Sequence, residues 1–143
     1  MTFLLDVSVL IALLDPIHVH HDLVHEWFAI EGQKNWATCP LTENGVLRIV
    51  GHHTYRNFPG NVTTIAESFS EFRSLPGHIF WPDDISLLDS PKIDLTRLLT
   101  AAQVTDSYLL GLAQAHAGQL ATLDQRMVTD AVREGAKSLH LVR

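Results

Sequence analysis

The 143-residue sequence holds a single cysteine, Cys39. No intrachain disulfide is possible, and a reducing cytoplasm is the expected setting. Also missing is any unbroken apolar run long enough to cross a bilayer. The opening MTFLLDVSVLIALLDP is split by Asp6, ends at Asp15-Pro16 and lacks a basic start, so it reads neither as a membrane span nor as a targeting segment. Internal repeats, low-complexity tracts and Gly/Ser-rich linkers are absent, which leaves a globular chain. An excess of positive charge is lacking too: 10 Lys and Arg stand against 16 Asp and Glu, a formal net charge of −6. That balance argues mildly against a nonspecific polyanion binder, although a local basic patch or bound cations reverse the field at one site. The length suits one compact domain over residues 1–143, able to bury a sizeable core without staples.

What is present is an alternation of short apolar runs and helical stripes. TFLLD (2–6) predicts a strand, followed by a helix over VSVLIALL that stops at Asp15-Pro16. In HVHHDLVHEWFAIEG, the spacing of Val19, Leu23, Trp27 and Ile30 predicts an amphipathic helix closed by Gly32. NWATC predicts a second strand, and Pro40 opens a helix carrying Leu41, Val46, Leu47 and Ile49, against which Asn44-Gly45 reads as a turn. Residues 62–75 and 93–102 are helix candidates on either side of a short strand at HIFWPD. Further on, residues 106–117 suit a helix ending at Gly118, QLATL a buried strand, QRMVTDAVREG a helix and SLHLV a last strand. Strands alternating with helices imply a parallel sheet covered on both faces.

In such sheets ligands bind beyond the carboxyl ends of the strands, near the point where the strand order reverses. Asp6 and Asp124 fall at two such ends, Glu43 in the first turns of the helix after the second strand, and Asp106 at the start of the helix leading to the fourth. All four reach one edge. Two carboxylates about 4 Å apart repel by roughly 4 kcal/mol at an effective dielectric near 20, so a cluster needs protons or cations. Mg²⁺ or Mn²⁺ is the natural relief, and such an ion activates water and neutralises a phosphoryl oxygen, the chemistry of phosphodiester hydrolysis. Taken singly, each acid also suits a helix terminus: Asp6 as the cap of the helix from Val7, Glu43 beside Pro40, Asp106 with Thr105 as its cap, and Asp124 before Gln125. Capping, however, does not require four acids at one sheet edge.

These acids lie in LLDVSVLIALL, PLTENGVLRIV, VTDSYLLGLA and LATLDQRM, and with those segments the chain resembles PIN-domain ribonucleases of the VapC toxin type nearly end to end. The resemblance implies an α/β, PIN-like three-layer sandwich, a parallel sheet of about five strands flanked by helices on both faces, with residues 1–143 forming a single nuclease domain. It implies a Mg²⁺- or Mn²⁺-dependent endoribonuclease, the toxin of a type II toxin–antitoxin system, hydrolysing RNA with a metal-activated water. A VapB-type antitoxin is the implied partner, RNA the substrate, and a homodimer is compatible with it. Residue by residue, it puts the metal-binding and catalytic roles on Asp6, Glu43, Asp106 and Asp124. Ser8 takes the small polar position after the first acid and Thr105 the hydroxyl position before the third, both suited to hydrogen-bond carboxylates or metal-bound water. HVHHDLVHEWF looks like the family's second helix, whereas Asn44-Gly45 departs from the pattern.

No histidine, serine or lysine stands out as a protein nucleophile. His21 and His25, four apart, share a helix face in the manner of zinc ligands, against the simpler reading of solvated histidines on a polar face. Arg48, His52, His53, Arg56, Arg97 and Arg126 are candidates for RNA phosphates; Arg126 stands two residues from Asp124. Among rivals, a receiver-like signalling domain wants a phosphoacceptor Asp ending a middle strand and a lysine beyond a late one, but Lys137 precedes the last strand. A two-aspartate phosphatase wants Asp where Ser8 stands, and a catalytically silent PIN-like binding module has no need of all four acids.

Overall fold

A computed structural model describes residues 1–143. Five short strands, β1 (Phe3–Leu5), β2 (Trp36–Thr38), β3 (His78–Phe80), β4 (Gln119–Thr122) and β5 (Leu139–Leu141), form one parallel sheet in the order β3-β2-β1-β4-β5. The central strands are largely apolar because both their faces are covered. Leu5, Trp36 and Ala121 point to one face, where they pack with Val9, Val24, Val46 and Ile65. Leu4, Ala37 and Leu120 point to the other, against Leu109, Leu110 and Leu112. The first layer is α1 (Val7–Leu14), α2 (His21–Ile30), α3 (Pro40–Val50) and α4 (Val62–Arg73); the second is α5 (Ala101–Ala115). The expected three-layer α/β sandwich is therefore present. Since the chain moves from β1 to β2 and β3 on one side and returns to β4 beside β1, the strand order reverses between β1 and β4.

Several elements differ from the sequence expectation. The stripe Val19, Leu23, Ile30 is exposed at 85, 38 and 63 %, while Val24 and Phe28 are buried. Two apolar sets lie one residue, about 100°, apart on this helix, and spacing alone does not choose between them. The helix expected over residues 93–102 is instead a single 3₁₀ turn, Leu95–Arg97, with Ala101 and Ala102 already the first turn of α5, where Gln103 Oε1 accepts the N–H groups of Leu99 (2.7 Å) and Thr100 (3.0 Å). The Thr100-to-Gln103 spacing is a capping-box signal that moves the helix start five residues ahead of Asp106. QRMVTDAVREG forms turns rather than a helix. Its backbone bonds elsewhere: Ala131 O accepts from Asp94 N (2.8 Å), Arg133 N donates to Lys92 O (2.7 Å), and Glu134 adopts a left-handed φ of 57°. Asn44-Gly45, conversely, does not break α3. A Cβ on Gly45 would lie 2.8 Å from Val7 Cγ2, so the glycine serves close packing of α3 on α1.

Candidate active site

The reversal point between β1 and β4 is where the acids gather. Asp6 directly follows β1 and caps α1: its Oδ1 accepts the N–H of Val7 (2.8 Å), and its Oδ2 the hydroxyl of Thr122 (2.7 Å) at the end of β4. Thr122 is fully buried, and its Oγ1 also accepts the N–H of Asp124 (3.1 Å). One hydroxyl thus fixes the two strand-end aspartates relative to each other. Asp124 closes an Asx turn, its Oδ1 accepting from Arg126 N (2.9 Å). Ser8 Oγ accepts the N–H of Leu123 at 3.4 Å, a long bond that still ties α1 to the β4 exit.

Asp106 approaches from the other layer, in the second turn of α5. It makes no hydrogen bond, so neither capping nor pairing explains it. Desolvation, followed by the charges of Asp6 and Asp124, pushes its carboxyl up to about 6. Burial likewise raises Asp6, with Asp124 adding to the rise and the Thr122 and Val7 hydrogen bonds opposing it. The charge of Asp124 thus acts on both Asp6 and Asp106, and that of Asp6 on Asp106, which ties three of the four acids electrostatically. Glu43 has different company: Thr38 Oγ1 donates to its Oε2 (2.7 Å), and Arg73 sets Nε 3.2 Å from Oε2 and Nη1 3.4 Å from Oε1. No three acidic, histidine or cysteine side chains already stand around one point as an ion's ligands. The aspartates nevertheless fit a hard divalent cation, since they are all-oxygen donors whose mutual repulsion no basic side chain offsets.

Helix capping accounts for Asp6 in part, for Asp124 not at all, since no helix follows it, and for Asp106 not at all, since Thr100 occupies that role. Thr105 is exposed, makes no side-chain hydrogen bond and holds no carboxylate. The hydroxyls that do so, Thr38 and Thr122, went unnoticed in the sequence. Each is the last residue of its strand, Thr122 two residues before Asp124 and Thr38 five before Glu43. Arg73 has no such proximity, being thirty residues from Glu43 and joined to it only by the fold. Arg48 and Arg126 are exposed without an ion-pair partner, whereas Arg97 pairs with Asp94 (3.4 Å). The His21 and His25 rings are 5.6 Å apart, with His21 Nδ1 2.7 Å from Ala12 O, but no third ligand joins them. Lys137 precedes β5, and its Nζ lies 3.2 Å from Glu134, which removes the lysine a receiver domain needs at the acidic edge.

No protein-family model matches the chain. Among curated proteins, Ribonuclease VapC44 of Mycobacterium tuberculosis (strain ATCC 25618 / H37Rv) is 40 % identical over 141 residues, 99 % of this chain and 98 % of that protein. Ribonuclease VapC39 of the same strain is 37 % identical over 131 residues, covering 92 and 94 % of the two chains. Ribonuclease VapC38 is 36 % identical over 126 residues, covering 88 and 87 %. Identity at this level along nearly the whole length, together with a parallel sheet carrying aspartates at its reversal point, assigns the family: the chain belongs to the VapC ribonucleases.

Proposed function

We propose that the chain is a divalent-metal-dependent endoribonuclease, the toxin of a type II toxin–antitoxin pair, with residues 1–143 acting as one PIN-like nuclease domain. Family membership supports the ribonuclease chemistry. One observation brings it to named residues: Asp106, with no structural partner, is held beside Asp6 and Asp124 at an energetic cost that a helix or a core does not require. Asp6, Asp106 and Asp124, with Glu43 as a fourth carboxylate, would hold Mg²⁺ or Mn²⁺. Such an ion supplies an activated water and neutralises charge on a phosphoryl oxygen.

The protein's own part is to fix the carboxylates and, at Asp6, to offset part of the cost of ionisation. Thr122 and the N–H of Val7 hold both oxygens of Asp6, and these bonds favour its charged form against burial. Ser8 steadies the turn that presents Asp124. The unpaired guanidinium groups of Arg48 and Arg126 supply phosphate contacts that offset the acidic field felt by RNA. A VapB-type antitoxin would silence the site by placing an Arg or Lys among the carboxylates, since a guanidinium matches a carboxylate in a bidentate fork. Action in the cytoplasm, as monomer or homodimer, completes the proposal; no helix is long and apolar enough to cross a membrane.

The test is cleavage of structured RNA by the purified protein. Cutting with Mg²⁺ or Mn²⁺ that stops in EDTA supports the reading, and Asp6→Asn should lower the rate by at least about two orders of magnitude. Metal-independent cutting, or full activity in Asp6→Asn, would overturn it.

A further inference from the structure

The four acids share one edge of the sheet, yet Glu43 is paired with a base while the aspartates are not. Arg73, the last residue of α4, sets Nε 3.2 Å from Glu43 Oε2 and Nη1 3.4 Å from Oε1, so the guanidinium faces both carboxylate oxygens. Its position is itself supported, with Cζ 5.4 Å from the centroid of the Phe80 ring at the end of β3. Thr38 completes the hold, donating to Glu43 Oε2 at 2.7 Å while its oxygen meets His78 Nε2 at 2.7 Å. The Glu43 side chain is 17 % exposed and that of Arg73 39 %, so the pair sits at the rim of the site, partly shielded from water. Asp6 and Asp106 respond to other aspartates and not to Glu43.

We propose that Arg73 is a latch on Glu43: in the metal-free protein its guanidinium and Thr38 hold this carboxylate on the β3 side of the site, and a divalent cation on the aspartates gains Glu43 as a ligand only by taking it from Arg73. This rests on the reading of the four acids as the cation site. Arg73 is then a positioning residue, acting through Glu43. Arg73 Nη1 donates the one hydrogen bond of the pair, while Nε faces Oε2 without the geometry of a second; cation binding must break this ion pair, which weakens the apparent affinity for metal by the strength of that contact. For a partly exposed pair this is at most roughly fivefold, about 1 kcal/mol at 1.4 kcal/mol per tenfold.

The experiment is calorimetric titration of MnCl₂, at constant ionic strength, into wild type, Arg73→Met, Glu43→Gln and the double variant. The latch predicts roughly fivefold tighter Mn²⁺ binding in Arg73→Met, and less than a twofold effect of the same substitution in the Glu43→Gln background. Equal tightening in both backgrounds would mean that Arg73 acts only through its bulk charge, and unchanged or weaker binding in Arg73→Met would mean that it does not compete for Glu43; either result overturns the latch. Arg73→Lys keeps the charge and loses the fork, so its binding should fall between wild type and Arg73→Met, which keeps the test open should Arg73→Met fold poorly. Lysine binding identical to wild type counts against the latch. Wild type that takes up no Mn²⁺ overturns the four-acid site and the latch together. Wild-type binding that is abolished by Asp106→Asn, yet shows no coupling between positions 43 and 73, overturns the latch alone.

Discussion

Replacing Asp106 by Asn removes a charge that the fold holds at a cost, so without metal the variant should be more stable than wild type. The raised carboxyl, from 3.8 to about 6, corresponds to roughly 3 kcal/mol at 1.36 kcal/mol per pH unit. Asp106 is partly open to solvent, which screens much of this and leaves on the order of 1 kcal/mol. The sign follows from proton linkage. Below about pH 4 the group is protonated whether folded or unfolded, and carries no penalty. Between about pH 4 and 6 the unfolded chain releases the proton that the folded chain retains, so wild-type stability falls as pH rises; above about 6 the whole penalty is present. Melting followed by circular dichroism in EDTA should therefore give coincident curves for the two proteins near pH 3.5. At pH 7.5 Asp106→Asn should melt higher by roughly 2–5 °C. A variant that melts lower at pH 7.5, or a difference that does not change with pH, would refute the electrostatic reasoning and return Asp106 to an ordinary structural role.

Other substitutions probe neighbouring parts of the same construction. Thr122→Val removes the hydroxyl that bonds Asp6 and Asp124 N, leaving both underserved; melting should show a loss of about 1–3 kcal/mol, and the RNA cleavage rate should fall with it. Gly45→Ala sets a methyl group 2.8 Å from Val7 Cγ2 and should cost about 1–3 kcal/mol by overpacking, measured by urea unfolding. Mg²⁺ at about 100 times its dissociation constant should add roughly 2.7 kcal/mol to the wild type, read by calorimetry, and much less to Asp106→Asn, which lacks one carboxylate charge.

The parts of the fold legible in the sequence are those set by local chemistry. Strands buried on both faces appear as short, largely apolar runs, Phe3–Leu5 the cleanest and Gln119–Thr122 apolar at its centre, and α1 is bounded visibly by Asp6 before it and Asp15-Pro16 after it. The 125–135 segment was not legible, because its residues have a helical pattern while its backbone bonds go to Lys92 and Asp94, partners that only the tertiary fold supplies. The helix α2 was legible but its buried face was not, because two apolar stripes lie on one helix and the sheet takes Val24 and Phe28. Within the site, Asp6 and Asp124 were placed from strand ends and Asp106 from the helix expected to lead to the fourth strand, although that helix begins five residues earlier than expected. The freedom of Asp106 from capping emerged only when α5 proved to begin at Ala101. The Glu43–Arg73 pair depends on α3 and α4 lying together, and no local pattern announces that contact.

The most direct test of the central claim uses one preparation of Asp106→Asn for two measurements beside wild type: the melting temperature in EDTA at pH 7.5, and the rate of Mg²⁺-dependent RNA cleavage. On the proposal that the carboxylate is held against the repulsion of Asp6 and Asp124 to bind a cation, stability and activity should move in opposite directions. The account predicts a variant that melts no lower than wild type yet cleaves at least about a hundredfold more slowly. A variant that is less stable but cleaves RNA at the wild-type rate would contradict it.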